Sequence, residues 1–151
     1  MSQFLTIAQQ FLEADDWPFE RDDQKSLLKT GIGRDGTNFR IFIQADDAND
    51  QFLVYTLSPT NVPEERRLAA AEYICRANYG LKMGNFELDM SDGEVRYKNS
   101  IDVEGKGLCT TMVKNLLQVS AAMMMRYYPG LMKLIYGDQS PEECIKEIES
   151  S

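Results

Sequence analysis

The sequence predicts an α+β fold in which an antiparallel meander of strands is combined with helices. Three observations carry this. Apolar residues recur at helical spacing near the start, in the middle and over a long stretch late in the chain. Between the first two of these lie runs that alternate apolar and polar residues, joined by turns so short that the strands must be antiparallel neighbours. No repeat, low-complexity tract or linker divides the 151 residues. The chain therefore reads as one domain over residues 1–151, with a core over about 3–135 and a short terminal helix over about 140–149.

Residues 3–14 set Phe4, Ile7, Ala8, Phe11 and Leu12 on one helical stripe. Asp15-Asp16-Trp17-Pro18 ends that helix, because proline disfavours a helical conformation in the residue before it. Strand-like runs follow at Trp17–Asp22, Ser26–Arg34, Asn38–Ala45 and Gln51–Leu57. Phe39, Ile41 and Ile43 share one face of the third; Phe52 and Val54 oppose Leu53, Tyr55 and Leu57 in the fourth. Asp35-Gly36 and the acidic run 46–50 supply the turns. A second helix starts near Pro63, with Asn61 and Glu64 as a cap pair and Leu68, Ala71, Ile74 and Cys75 as its inner stripe. Asn78-Tyr79-Gly80 closes it. A hairpin then pairs Asn85–Met90 with Glu94–Asp102 through Ser91-Asp92-Gly93. The pattern from Leu108 to about Tyr136 is helical, and Pro129-Gly130 is expected to break it into two pieces. Ser140-Pro141-Glu142-Glu143 marks a last helix start: a serine cap, proline at the first helical position and glutamate three after the cap.

Composition excludes more than it identifies. Sixteen Lys and Arg against 24 Asp and Glu leave a net charge of −8, which argues against a binder of nucleic-acid phosphates. Histidine is absent. That removes the Ser-His-Asp triad, imidazole acid–base work and every histidine-containing zinc site. Cys75, Cys109 and Cys144 form neither a disulfide framework nor a CxxC motif, and are expected to be reduced, small buried hydrophobes. The N-terminus lacks the basic region and long apolar core of a signal peptide, and no stretch reaches the roughly 18 apolar residues of a membrane span. A cytoplasmic location is expected, with no membrane partner, no cofactor and no metal.

Three motifs invite chemistry. Gly31-Ile32-Gly33-Arg34-Asp35-Gly36 fits G-x-G-x-x-G, but it runs from strand to strand and not into a helix N-terminus, so it reads as a hairpin bend. Gly105-Lys106-Gly107 precedes a helix yet lacks the P-loop frame, and reads as a connector. The acidic clusters around Asp15–Asp23 and Asp46–Asp50 lack EF-hand spacing and read as solvated turns.

The most informative feature is a charge distribution. From Gly105 to Gly137 there is no Asp or Glu, while Lys106, Lys114, Arg126 and Lys133 give +4 and leave the remainder at −12. The helix in this stretch is apolar around most of its circumference, whereas one packed face needs only about 100° of arc. A second buried side is expected, against a partner subunit or client. The candidate protein-interaction residues are Met112, Leu116, Met123, Met124, Met125, Tyr127, Tyr128 and Met132, the methionines supplying adaptable contact surface.

Four segments in order carry a family resemblance: Pro59-Thr60-Asn61-Val62-Pro63-Glu64-Glu65-Arg66-Arg67, Asn78-Tyr79-Gly80-Leu81, Gly84-Asn85-Phe86-Glu87-Leu88-Asp89 and Asp92-Gly93-Glu94-Val95-Arg96-Tyr97. Over about residues 3–135 the chain resembles the YbjN-domain family of small bacterial proteins, which carries a sensory transduction regulator label. The Asn78-Tyr79-Gly80 form and the uninterrupted hairpin are similar to cyanobacterial members. The resemblance implies a fold like that of type III secretion chaperones: a curved antiparallel sheet with helices on one side, commonly dimeric and binding extended client segments. The strand at Trp17–Asp22 and the helix after Ser140 are departures from that pattern.

The expected function is a non-enzymatic protein-binding module, a chaperone-like adaptor or regulator acting as a homodimer. It would bury apolar surface of the Met/Tyr-rich helix, with strand addition at an open sheet edge as a second mode. The alternative is a small-molecule sensor with a pocket between sheet and helices lined by Trp17, Phe42, Tyr55 or Tyr97. No constellation for cysteine, lysine or carboxylate catalysis is visible, so no catalytic residue is assigned.

Overall fold

A computed structural model describes residues 1–150. The chain opens with α1 (Gln3–Ala14), then four strands: β1 (Glu20–Asp22), β2 (Leu27–Arg34), β3 (Thr37–Asp46) and β4 (Gln51–Leu57). Helix α2 (Arg67–Asn78), the hairpin strands β5 (Asn85–Leu88) and β6 (Val95–Asp102), the long α3 (Thr110–Tyr136) and α4 (Pro141–Glu149) follow. The strands form one antiparallel sheet in the order β1-β2-β3-β4-β6-β5. Phe39, Ile41 and Ile43 of β3 share one side and lie in the two apolar clusters that also hold the inward residues of all four helices. The helices therefore cover one face of the sheet, and Arg40 and Gln44 point away to the exposed face.

Local chemistry explains the boundaries. Ser2 caps α1, and the Asp47 carboxylate accepts from the backbone N–H of Gln3 and Phe4, where a helix N-terminus favours negative charge. At the other end Asp16 takes a left-handed φ of 57°, and the Trp17 N–H returns to the Leu12 carbonyl. That return, together with the missing N–H of Pro18, shortens the expected Trp17–Asp22 strand to Glu20–Asp22. Asp35 and Gly36 both have positive φ, as a two-residue hairpin turn of the right twist requires. Ser140 accepts from the Glu143 N–H, with Pro141 first in α4, as its sequence implied.

Four expectations need correction. Asn61 does not cap α2. Its amide donates to the Asp92 carbonyl, and a 3₁₀ turn over Glu64–Arg66 leads into the helix. The buried stripe of α2 is Ala70, Tyr73, Ile74 and Ala77, one step from the expected stripe, and leaves Leu68 80 % exposed. Cys75 and Cys109 are exposed; only Cys144 is buried. Lastly, α3 runs unbroken through Pro129. Proline removes a single donor, while Leu131, Leu134 and Ile135 beyond it bury fully enough to hold the helix together.

The two sheet flanks differ. On β5, Asn78 mimics a neighbouring strand: its Oδ1 accepts from the Phe86 N–H at 2.7 Å, and its Nδ2 donates to the Phe86 carbonyl at 3.1 Å. On the opposite flank, β1 spans only Leu27, Leu28 and Lys29 of the longer β2.

Candidate functional site

Helix α3 crosses the sheet and touches every other helix but no solvent on its inner side. Val113, Leu117, Ala121, Met124, Leu131 and Leu134 face the core, and a buried hydrogen bond of 2.8 Å joins Ser120 to Thr56 of β4. Its outer positions, Lys114, Asn115, Gln118, Arg126 and Lys133, are exposed and polar. Among the described residues, Tyr136 is the one large apolar side chain of α3 that is exposed.

The candidate residues divide accordingly. Leu116, Met124 and Tyr127 are core residues at 3 %, 1 % and 3 % exposure, which corrects their assignment to a contact surface. Tyr127 packs edge-to-face on Phe86 at 5.4 Å, and its hydroxyl donates to Glu149 of α4. Burial and that hydrogen bond push its phenol up to about 12. Met112, Met123, Met125, Tyr128 and Met132 are half-buried. Met112 packs against the cluster under α1, and Met123 against the cluster under α2.

Met125, Tyr128 and Met132 come together. With Pro129 they form the helical wall of a groove of about 270 Å³, and Arg34, Asp35, Thr37 and Phe39 of the β2–β3 hairpin form the other wall. Tyr128 stands perpendicular to Phe39 at 5.1 Å between ring centres, and its hydroxyl lies 3.1 Å from that of Thr60. The floor is thus rigid and aromatic, while the two methionines leave the wall adaptable. The hairpin side was not recognisable in advance. Phe39 read as core, and nothing local places the Asp35-Gly36 turn beside α3.

The expected sensor pocket is not assembled. Tyr97 is fully buried, and its hydroxyl donates to the Met83 carbonyl; burial pushes its phenol up to about 12. Phe42 and Tyr55 pair across β3 and β4 on the opposite face of the sheet, where Arg96 stacks on Tyr55 at 4.3 Å. Trp17 packs near α1.

Other candidate chemistry is used locally. The amides of Lys106 and Gly107 both donate to the Val103 carbonyl, so they are not presented to an anion. Asp46 caps the 3₁₀ turn at Asp47–Asn49, and Asp47 holds α1. On the exposed face, burial works against the charge of Glu87. Hydrogen bonds from Lys98 and Arg96 outweigh it and hold the carboxyl below its usual range. Among the described residues, no cluster of three or more Cys, Asp or Glu could hold a metal ion. No helix among them is long and apolar enough to cross a membrane.

A comparison with curated proteins finds no match. Among solved structures, the chain is similar to the crystal structure of YbjN from E. coli, with a TM-score of 0.60 and 17 % identity, covering 80 % of this chain and 84 % of that one. It is also similar to a chain of the HopA1–SchA chaperone–effector complex, with a TM-score of 0.50 and 19 % identity, covering 81 % and 90 %. At these identities the likeness is one of fold. In sequence, the model of the family described as "YbjN: Putative bacterial sensory transduction regulator" matches residues 8–132, which takes in every strand and the groove and leaves α4 outside. The chain belongs to the YbjN family.

Proposed function

We propose that this protein is a non-enzymatic protein-binding module, a chaperone-like adaptor or regulator that works in the cytoplasm, on proteins and not on nucleic acid or membranes. The observation that carries the reading is the groove between α3 and the β2–β3 hairpin, where Met125, Tyr128 and Met132 stay half-buried beside a fixed aromatic floor. A wall of flexible, polarizable side chains over a rigid base suits varied apolar partners. The family's regulator description and the fold shared with a chaperone–effector complex support it. We further propose that the chain acts as one unit over residues 1–151, as a homodimer, and that it stands with cyanobacterial members of the family.

The test is affinity purification from the native cell with cross-linking, alongside light scattering on the pure protein. One stoichiometric partner cross-linked to Met125 or Met132 is expected. A strict monomer that captures nothing would end the adaptor reading. The alternative, a small-molecule sensor, would have to use this same groove, which at about 270 Å³ is slightly smaller than the roughly 300 Å³ where ligand sites begin. A metabolite that raises the melting temperature and shifts the Tyr128 signals would favour the sensor.

A further inference from the structure

The uncovered face of the sheet carries one arrangement twice, and the second copy lacks a part. Phe42 and Tyr55 sit side by side on β3 and β4, half-buried, on the side away from the helices. At Tyr55, Arg96 lies over the ring at 4.3 Å, Lys98 is the register partner, and Glu87 of β5 stands opposite Arg96. The Glu87 carboxylate accepts from Arg96 Nε at 2.8 Å and from Lys98 Nζ at 3.1 Å. At Phe42, Arg40 lies over the ring at 5.8 Å and Lys29 is the register partner. The residue opposite Arg40, where an acid would complete the set, is Gly31.

The Phe42 station therefore has its cations and no carboxylate. Arg40 and Lys29 are both exposed, and neither makes an ion pair among the described residues. The nearby acids are placed otherwise. Asp35 pairs with Arg34 at 3.8 Å in the turn, and Glu20, opposite Lys29 on β1, lies two strands away from Arg40. Asp46 caps the 3₁₀ turn that follows β3, six residues and about 20 Å along from Arg40. A Cβ at Gly31 would crowd the Phe39 carbonyl at 3.0 Å, so the strand stays bare beside Arg40. A guanidinium laid flat on a ring keeps its N–H edge free for a carboxylate, which is how Arg96 holds Glu87.

Charge and shape select the occupant. A small carboxylate needs a concave site to enclose it, whereas this is an open sheet face. Nucleic acid fits poorly: guanidinium planes already lie over both rings, leaving no stacking surface for a base, and the chain as a whole carries −8. A second copy placed face to face would set these cations against their own counterparts. We infer that Arg40 and Lys29 receive a carboxylate side chain from an acidic, apolar segment of a partner protein, whose apolar side chains rest on Phe42 and Tyr55. This rests on the protein-binding reading above and gives it a second surface and a partner chemistry. Phe39 faces the groove, and Arg40, next in the chain, opens on the other face of the same hairpin.

The test uses the isotope-labelled full chain and three capped nine-residue peptides of glycine and serine around a central leucine–glutamate–glutamate–leucine, its glutamine version and its lysine version. A single-stranded DNA ten-mer is the fourth probe. The glutamate peptide should shift the Arg40 Nε–H and the Gly31 and Phe42 amide signals saturably, with a Kd of about 1 mM or tighter. The glutamine and lysine peptides should bind about tenfold more weakly. Arg40→Gln, at an exposed site, should weaken the glutamate peptide about tenfold while leaving the amide spectrum of the helices in place. Glu87→Gln frees the Tyr55 station and should tighten binding about threefold. Four results overturn the inference: no saturable shift with the glutamate peptide, equal binding of its glutamine version, an affinity unchanged by Arg40→Gln, and tighter binding of the DNA. Shifts that arise with protein concentration alone would also overturn it, since a second copy would then hold the face. A native client that cross-links to Met125 or Met132 and is captured equally by Arg40→Gln would sink this station and leave the adaptor reading standing.

Discussion

The Tyr73 hydroxyl donates a 2.7 Å hydrogen bond to the Tyr127 carbonyl, in space that exists because residue 130 is glycine. A Cβ at Gly130 would lie 2.2 Å from that hydroxyl. The contact docks α2 onto α3 within the same turn as Pro129, where the helix has already lost a donor. Gly130→Ala should destabilise the protein by about 1–3 kcal/mol, even though alanine is the better helix former. Tyr73→Phe alone should cost about 1 kcal/mol for the lost hydrogen bond. In the double variant part of the clash disappears, so the two losses should sum to less than their parts. Additive losses in urea titrations would show that the two residues are not coupled.

The methionine run should split by burial. Met124→Ala should cost about 2–5 kcal/mol, the range for emptying a core site, whereas Met125→Ala, half-buried at the groove, should cost about 1 kcal/mol or less. Equal costs would mean that α3 is rotated from the orientation described.

Helix α4 is held over α2 and α3 by Cys144 and Ile145, by the Lys133–Glu147 ion pair and by the bond from Tyr127 to Glu149. Ile145→Ala should cost about 2–4 kcal/mol. A chain ending at Gly137 should bind the dye ANS, because the faces of Ile74 and Ile135 lose their cover. An ANS-silent truncation of unchanged stability would show that α4 does not pack there.

Alkali should unfold the protein through its buried phenols. Burial pushes Tyr97 and Tyr127 from about 10 up to about 12, and Tyr73 higher still. An acid whose folded value is raised binds the extra proton in the folded state. Its contribution is therefore intact below about pH 10 and is lost as pH rises through about 12. Under reducing conditions the urea midpoint should fall steeply above pH 10, and Tyr97→Phe should make that limb shallower. A midpoint flat to pH 11 would contradict the burial of these rings.

Much of the fold was legible because short-range chemistry fixes it. Asp35-Gly36 favours a tight hairpin turn, Ser140-Pro141-Glu142-Glu143 supplies cap, first-turn proline and acidic first turn together, and Phe39, Ile41 and Ile43 alternate without ambiguity. The misreadings arose where local signals were balanced. Leu68-Ala69-Ala70-Ala71 offers two apolar stripes of similar merit, and Tyr73 tips the choice by filling the notch at Gly130, some 60 residues away in sequence. The apolar breadth of α3 suggested an outward face; the sheet, α1, α2 and α4 each take part of its circumference instead. Of the groove, Met125, Tyr128 and Met132 could be grouped from helical spacing alone, while the hairpin wall opposite them depends on tertiary placement.

The way the Asn78 side chain occupies Phe86 bears on how large an assembly can grow. A sheet with two welcoming flanks can elongate without limit, as fibrils do. This one is plugged at Phe86 by a side chain tethered to its own helix, so that flank is closed there to a further strand, and replacing Asn78 with alanine should open it, read as concentration-dependent association in light scattering.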